Sequence, residues 1–415
     1  MSERTLALSD LRINGHRLWR SLMDLAKIGA TEKGGVCRLA LTQLDKEARD
    51  LIVRWATELG CTVRIDKIGN IVARRPGTNP DLPSVMTGSH IDTQPTGGKF
   101  DGNFGVLAGL EVLRTLNDQG LRTIAPVEVV VWTNEEGSRF VPVMMGSGVA
   151  SGAFSLEYAL SREDAEQISV EDALKSISYQ GCFEPSYSPK AYFEAHIEQG
   201  PVLETAGCTV GVVTGALGQR WYNVKVRGQE AHAGPTPMNR RRDALFVAAD
   251  LIKGINRIAT ESSLNARGTV GCMSVFPNSR NVIPGQVTMT VDLRADTTEI
   301  LDLLDAKLRK LCSECGLPVE VEQVVHFTPQ PFDSLLVESV RRASANLGYS
   351  SMDLVSGAGH DAVYLARVTP TAMIFVPCEN GISHNEIENA SPKDLEAGAN
   401  VLLQMMIEAA GVDDA

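Results

Sequence analysis

Three short apolar runs in the first half of the chain end in ionisable residues. They are LPSVMTGSHID, which reaches His90, PVEVVVWTNEEG, which reaches Glu135 and Glu136, and KAYFEAHIEQG, which contains His196. Helical patterns such as VLAGLEVLRTLNDQG lie between the runs. This alternation is typical of buried strands in a mostly parallel sheet. Because ligands of such sheets bind beyond the carboxyl ends of the strands, the pattern predicts a functional site there.

The pattern changes from residue 212 onward. RWYNVKVRG alternates strictly, with Tyr222, Val224 and Val226 on one face. A helical pattern, two strand patterns, a second helical pattern and a last strand pattern follow, which is the order of a βαββαβ sandwich. After residue 328 the chain returns to the earlier style.

These patterns predict an α/β protein with an inserted domain. Residues 1–211 and 329–415 are expected to form a catalytic domain around a mixed, mostly parallel sheet. Residues 212–328 are expected to form an inserted, open-faced α+β domain of βαββαβ order. A chain of 415 residues is also longer than one hydrophobic core usually organises.

Composition excludes several classes of partner. The formal net charge of −12 argues against a nucleic-acid surface, which would carry a basic patch. No run approaches the ~18 apolar residues of a membrane span, so no membrane partner is expected. The N-terminal stretch MSERTLALSDLRINGHRL lacks the apolar core of a secretory signal. Eight scattered cysteines are typical of reduced thiols, so a cytoplasmic location is expected.

The stretch GSHIDTQPTGGKFDGNFGV concentrates candidate chemistry, because it holds one imidazole and two carboxylates among glycines. Mixed imidazole and carboxylate ligands suit zinc, and also manganese, cobalt or nickel. Five ligands exceed the needs of one catalytic metal, and a carboxylate such as Asp101 could bridge two ions. The candidate ligands along the whole chain are His90, Asp101, Glu136, His196 and His384.

Two further acids have candidate roles around these ligands. The Asp92 carboxylate is placed to accept the far N–H of His90, since a ligating histidine usually has such a partner. Adjacent residues at a strand end point in opposite directions, so Glu136 could bind metal while Glu135 serves as general base. Two ordinary alternatives stay open at this point. A histidine at a strand end is often a hydrogen-bonded core residue, and two consecutive glutamates often form a solvated turn.

Six linked motifs resemble the M20-type zinc amidohydrolases, and more narrowly their hydantoinase/carbamoylase branch. They are GSHIDTQPTGGKFDGNFGVLAGLEVL, WTNEEGSRF, AHIEQGPVLE, GQEAHAGPTPM, PNSRNVIP and GAGHDA. The resemblance covers nearly the whole chain. It implies that His90, Asp101 and His196 hold one metal and that Asp101, Glu136 and His384 hold the other. It also assigns Glu135 as the catalytic base and Asp92 as the residue that orients His90.

The resemblance further implies a set of substrate-binding positions. Arg294 ends the alternating strand VTMTVDLRA on its polar face, where a planar guanidinium suits a carboxylate. His232, in a Gly/Pro loop, is implied to polarise the scissile carbonyl at the active site of a partner subunit. Relatives form homodimers through the inserted domain, which would therefore serve as a lid and dimerisation domain. The implied substrate-binding residues are Gln199, His232, Asn281, Arg294 and Gly359.

The function that follows is metal-dependent hydrolysis of the ureido group of N-carbamoyl amino acids, either N-carbamoyl-L-amino acids or N-carbamoyl-β-alanine. The products would be the amino acid, ammonia and carbon dioxide. Two divalent ions per subunit are expected, zinc first, with manganese, cobalt or nickel as alternatives. Alternative activities are allantoate amidohydrolase and, less favoured by His196, an M20 dipeptidase or aminoacylase. A non-catalytic binding protein on the same scaffold is the alternative from another class.

Overall fold

The computed structural model describes residues 8–413. The chain divides into two compact units, Met1–Thr214 together with Pro331–Ala415, and Gly215–Gln330. The outer ends of the predicted catalytic domain, residues 1–7 and 414–415, lie outside the described residues. The first seven residues of MSERTLALSDLRINGHRL, the stretch that lacks the apolar core of a secretory signal, are therefore not described.

Strands and helices alternate along most of the described residues, in both units. The strands are β1 Thr62–Ile65, β2 Ile71–Arg75, β3 Val85–His90, β4 Val127–Trp132, β5 Ala191–Ile197, β6 Val210–Ala216, β7 Gly218–Arg227, β8 Ala231–His232, β9 Arg267–Phe276, β10 Val282–Ile283, β11 Gln286–Ala295, β12 Val319–Phe327, β13 Gln330–Pro331, β14 Ser351–Ser356 and β15 Thr371–Val376. The α-helices are α1 Gly15–Leu25, α2 Gln43–Glu58, α3 Asn103–Asp118, α4 Met145–Ala150, α5 Leu156–Leu160, α6 Val170–Ser176, α7 Val202–Ala206, α8 Ala244–Thr260, α9 Thr298–Glu314, α10 Ser334–Asn346, α11 Asp361–Leu365 and α12 Pro392–Ala410.

The first unit is built on one mixed sheet with the strand order β1-β2-β4-β3-β5-β15-β6-β13, and β14 also pairs with β6. Strands β4, β3, β5 and β15 run parallel at its centre. Antiparallel pairs flank them, β1 and β2 on one side and β6 on the other. The predicted α/β fold class with a mixed, mostly parallel sheet is therefore confirmed.

The central strands are buried along their whole length, which explains their continuous apolar runs. Helix α3 packs on β3, and α12 packs on α3, β5 and β15. Because the four central strands are parallel, their carboxyl ends meet at one edge of the sheet. That edge receives the loops that follow β3, β4, β5 and β15.

The second unit is a four-stranded antiparallel sheet in the order β12-β7-β11-β9, with α8 and α9 against it. The chain order of these strands and helices is the predicted βαββαβ. Tyr222, Val224 and Val226 are buried under the helices, as the alternating pattern predicts. The opposite face carries polar residues such as Asn223, so the sheet is open on that side. Within residues 8–413, the helices are all too short or too polar to cross a membrane.

Candidate metal centre and active site

The five predicted metal ligands come together at the carboxyl edge of the first unit's sheet. His90 is the last residue of β3, and His196 lies near the end of β5. Glu136 follows β4 and His384 follows β15. Asp101 lies in the loop that leads into α3. Two groups of three donors result, His90 with Asp101 and His196, and Asp101 with Glu136 and His384.

Asp101 is shared by the two groups through its separate carboxylate oxygens. Its Oδ1 atom lies 3.2 Å from Nε2 of His196 and 3.6 Å from Nε2 of His90. Its Oδ2 atom lies 3.3 Å from Nε2 of His384, which is 3.4 Å from Oε2 of Glu136. Two ligand atoms held ~2.0–2.2 Å from one tetrahedral zinc ion lie ~3.3–3.6 Å apart. The spacing and chemistry of the donors are thus compatible with a dinuclear divalent metal centre.

The tautomers of the two buried histidines also suit metal binding. The Nδ1 atom of His90 lies 2.9 Å from the Asp92 carbonyl oxygen, and Nδ1 of His196 lies 2.8 Å from the Ile197 carbonyl oxygen. Since a carbonyl oxygen can only accept, Nδ1 must carry the hydrogen in each ring. Nε2 of each ring therefore faces Asp101. A metal ion bound there would take the Nε2 lone pair in place of the proton that otherwise hydrogen-bonds to the Asp101 carboxylate.

Gly102 explains one of the glycines in the loop around Asp101. Its backbone is in the left-handed region, with φ of 65°. A Cβ atom at this position would lie 2.4 Å from the ring of His90. Its N–H also points at Nε2 of His196, 3.2 Å away. A side chain here would push one donor away from the others, so this position requires glycine.

Asp92 is buried beside His90, but its carboxylate makes a different contact from the predicted one. The nearer carboxylate oxygen is 3.9 Å from Nδ1 of His90, which contacts the Asp92 carbonyl oxygen instead. The carboxylate accepts hydrogen bonds from the backbone N–H groups of Glu135 and Glu136, each at 3.2 Å. Asp92 therefore holds both the His90 ring and the loop that carries the two glutamates.

Glu135 and Glu136 are both buried, each with 8% of its surface exposed. Oε2 of Glu135 lies 3.5 Å from Nε2 of His90, against the first donor group. Burial, reinforced by neighbouring carboxylates, raises the pKa of Glu135 well above its usual range. Burial and the charge of Asp101 raise the pKa of Glu136 to about 7. Crowded carboxylates of this kind favour a bound cation, whose charge reverses both effects.

The imidazoles have the opposite effect on Asp101. Burial alone would raise the pKa of this carboxyl, but hydrogen bonds from His196, His384 and His90 hold it well below its usual range. The hydrogen bond to Asp101 in turn raises the pKa of His384 to about 9. Metal binding at these donors would displace protons, so metal affinity is expected to fall with decreasing pH.

Four residues around the site were not predicted from the sequence. Gln94 donates to Glu136 from Nε2 at 2.5 Å, and Glu388 accepts from the backbone N–H of Asp101 at 3.1 Å. The buried ring of His360 packs against His196, with centroids 4.5 Å apart. Glu194 points to the same side of β5 as His196. Gln94 and Glu388 lie within four residues of predicted site residues, which is the only signal the sequence offers for them.

Glu194, His196 and His360 also form a group with metal-ligand spacing. The Glu194 carboxylate, however, already accepts from Oγ of Ser89 at 2.7 Å and from the N–H of Ala362 at 2.9 Å. Nε2 of His360 lies 2.9 Å from Oγ of Ser356. Because these donors bond to the protein, we assign no ion to this group.

Two of the implied substrate-binding residues lie in the first unit. Gln199, at the end of β5, donates from Nε2 to Oδ2 of Asp101 at 2.9 Å and to Oγ of Ser383 at 3.1 Å. Gly359 lies in the loop before α11, where a Cβ atom would contact the Met144 thioether at 3.1–3.3 Å. The N–H of Met144 donates to the Glu135 carbonyl oxygen at 2.7 Å. A side chain at position 359 would therefore press on Met144, whose backbone is hydrogen-bonded to that of Glu135.

The other three implied substrate-binding residues lie in the second unit. His232 in β8 pairs with Val282 in β10, directly after Asn281, so His232 and Asn281 are neighbours. Nδ1 of His232 accepts from the N–H of Gly234 at 3.0 Å, and its side chain is exposed. Arg294 near the end of β11 binds the carboxylate of Asp292, with its Nη2 atom 2.9 Å from Oδ2.

Residues 86–408 match Peptidase family M20/M25/M40. The chain belongs to this family. This M20 chain is 48% identical over 406 residues to an N-carbamoyl-L-amino-acid amidohydrolase of Rhizobium meliloti, with 97% of this chain and 98% of the relative covered. It is 40% identical over 403 residues to one of Geobacillus stearothermophilus, with 94% and 97% covered.

Solved structures extend the likeness to the whole fold. An amidase of the hydantoinase/carbamoylase family from Burkholderia multivorans is 55% identical and superposes with a TM-score of 0.94, covering 96% of this chain and 98% of that one. The predicted family and branch are therefore confirmed. This M20 protein is a hydrolase that acts on carbon–nitrogen bonds.

The shared position of Asp101 predicts how metal stoichiometry responds to substitution. The wild-type chain should bind two divalent ions per subunit, measured by elemental analysis after dialysis against trace zinc. His196→Ala and His384→Ala should each lose one ion, because each removes a donor from a single group. Asp101→Ala should lose both. Retention of one tightly bound ion by Asp101→Ala would contradict a bridging carboxylate.

Proposed function

We propose that this protein hydrolyses the ureido group of N-carbamoyl amino acids, releasing the amino acid, ammonia and carbon dioxide. The observation that carries the proposal is the pair of histidine–carboxylate groups that share Asp101, with the buried Glu135 against one of them. Similarity to two N-carbamoyl-L-amino-acid amidohydrolases supports the choice of substrate class. The small-molecule substrate would carry a ureido group at one end and a carboxylate at the other.

Two divalent ions, zinc first and manganese, cobalt or nickel as alternatives, would lower the pKa of a water molecule and polarise the ureido carbonyl. His90, Asp101 and His196 would hold one ion, and Asp101, Glu136 and His384 the other. Glu135 would take a proton from the attacking water and return it to the leaving nitrogen. Asp92 would orient Glu135 for this work, because its carboxylate binds the backbone N–H of Glu135 at 3.2 Å.

Substrate recognition would need protein groups that bind both ends of the substrate, the ureido group and the carboxylate. Gln199, Asn281 and Gly359 are proposed to contact the ureido end of the substrate. Arg294 is proposed to bind the carboxylate, since its planar guanidinium can hold both oxygens at once. In this structure Arg294 is paired with Asp292, with 29% and 28% of their side chains exposed. Substrate carboxylate would have to replace or share this partner.

The proposal includes a homodimer through the inserted domain. His232 would then reach the active site of the partner subunit and hold the developing oxyanion of the carbonyl. Its exposed side chain and the short β8–β10 ladder that carries it are consistent with such a role. A cytoplasmic location also remains part of the proposal.

Ammonia release tests the reaction itself. We expect ammonia release from N-carbamoyl-L-amino acids or N-carbamoyl-β-alanine to be faster than from allantoate. Glu135→Gln should retain both ions, and its turnover should fall about 10²–10⁴-fold, the usual contribution of a positioned general base. Glu128→Gln is a matched control, since Glu128 is also buried but lies within β4 and contacts Arg74 and Ser84 instead. Loss of metal from Glu135→Gln would make Glu135 a ligand and reverse the assignment of the pair.

Arg294 tests the recognition of the carboxylate. Removing one partner of a desolvated charge pair commonly costs ~2–5 kcal/mol, so Arg294→Ala should lower kcat/KM by about 10²–10³. Arg294→Lys should recover little, because an ammonium cannot bind both oxygens in the same plane. Arg227→Ala, at the opposite end of the same sheet, controls for the change in net charge. A near-normal kcat/KM for Arg294→Ala would show that the carboxylate is bound elsewhere.

Mixed subunits test the contribution of His232 across a dimer. His232→Ala and Glu135→Gln subunits are each expected to be inactive alone. After random exchange, half of the dimers are hybrids with one complete site of two, so about a quarter of wild-type activity should return. Glu135→Gln mixed with the double variant should restore nothing. Absence of recovery, with exchange verified by mass, would place His232 at the active site of its own chain or outside catalysis.

A further inference from the structure

The loop that carries Asp101 is held by a buried carboxylate outside the two donor groups. Oε1 of Glu388 accepts the backbone N–H of Phe100 at 3.0 Å and that of Asp101 at 3.1 Å. Only 3% of Glu388 is exposed. A Cβ atom on Gly98 would lie 2.1 Å from the Glu388 carboxyl group, so a glycine is required for this close approach. The loop is shaped around Glu388.

The other oxygen of Glu388 reaches the segment that carries His384. Oε2 accepts from Oγ of Ser383 at 2.8 Å, and Ser383 directly precedes His384. Oγ of Ser383 also lies 3.4 Å from Oδ2 of Asp101. Glu388 thus connects the backbone of Asp101 to Ser383, the residue beside His384. Asp101 and His384 are two of the three donors of one group.

The two donor groups differ in how their histidines are held. His90 and His196 lie on buried strands, and each ring is fixed by a backbone carbonyl. His384 lies in a loop with φ of 53°, and 51% of its side chain is exposed. No sheet pairing restrains His384, since it lies beyond the end of β15. Side-chain hydrogen bonds hold this segment instead. Ser383 donates to Glu388 at 2.8 Å and accepts from Gln199 at 3.1 Å, and Thr96 donates to the His384 carbonyl oxygen at 3.5 Å.

We propose that Glu388 is a positioning residue for the metal position formed by Asp101, Glu136 and His384. It raises the metal affinity of that position and leaves the affinity of the other position nearly unchanged. The inference rests on the proposed dinuclear centre and deepens it. Groups behind the ligands typically change metal affinity ~10–100-fold when they are removed. The position formed by His90, Asp101 and His196 should depend on Glu388 much less, because its histidines have their own restraints.

Zinc titration of the metal-free, full-length chain by calorimetry tests this role without measuring activity. In Glu388→Ala, the dissociation constant of one ion should rise at least about tenfold, while that of the other stays within about threefold. Glu388→Gln should stay close to wild type, because its amide oxygen can accept the same two N–H groups and Ser383 can accept from its amide nitrogen. Glu128→Ala controls for the loss of a buried carboxylate far from the loops, and should leave both constants unchanged.

Double variants identify which position is affected. If Glu388 acts through His384, the single variant His384→Ala and the double variant His384→Ala with Glu388→Ala should bind the remaining ion with the same dissociation constant. The pair of His196→Ala with Glu388→Ala should bind neither ion tightly. Selective loss of the ion that survives His384→Ala would overturn the proposal, and so would two wild-type constants in Glu388→Ala.

Ser383→Ala provides a second route if Glu388→Ala does not fold. It removes the hydrogen bonds of Ser383 with Glu388 and Gln199 without altering a buried charge, and should raise the dissociation constant of one ion by more than about threefold. Unchanged constants in Ser383→Ala would then overturn the proposal. The two levels of inference also fail differently. A wild-type chain that binds no ions refutes the dinuclear centre itself, whereas two ions bound by Glu388→Ala with wild-type dissociation constants refute only the role of Glu388.

Discussion

The carboxylate of Asp101 is the contact on which the rest of the site depends. It is nearly fully buried, and three imidazoles approach its two oxygens at 3.2–3.6 Å. A carboxylate in such a place is costly unless cations or hydrogen-bond donors surround it. The surrounding chain is arranged to supply them, from strand ends on one side and from the loop that carries His384 on the other.

The support around Asp101 uses backbone groups as much as side chains. Carbonyl oxygens set the tautomers of His90 and His196, while the carboxylates of Asp92 and Glu388 bind N–H groups of the loops. Such contacts fix ligands within the narrow geometry that metal chemistry requires. The parallel strands make this possible, because they deliver these loops to a single edge of one rigid sheet.

Several features followed from the residue pattern because they depend on local periodicity. Buried parallel strands have continuous apolar runs, and the open sheet of the second unit alternates strictly, so both fold types could be predicted. Residues at strand ends, such as His90 and Glu136, were found for the same reason. The roles implied by the motifs for His232, Asn281 and Arg294 were available only through resemblance, since nothing local distinguishes them from surface residues.

The sequence by itself determined the order of strands and helices, the residue types at the strand ends and the glycines of the Asp101 loop. Only the tertiary structure decided that the Asp92 carbonyl, rather than its carboxylate, faces His90, and that Glu388 connects the loops of Asp101 and His384. The first is a choice between atoms of one residue, and the second is a contact between segments that are distant in the chain. Periodicity reports which face of an element is buried, and it carries no information on which atoms meet when loops converge.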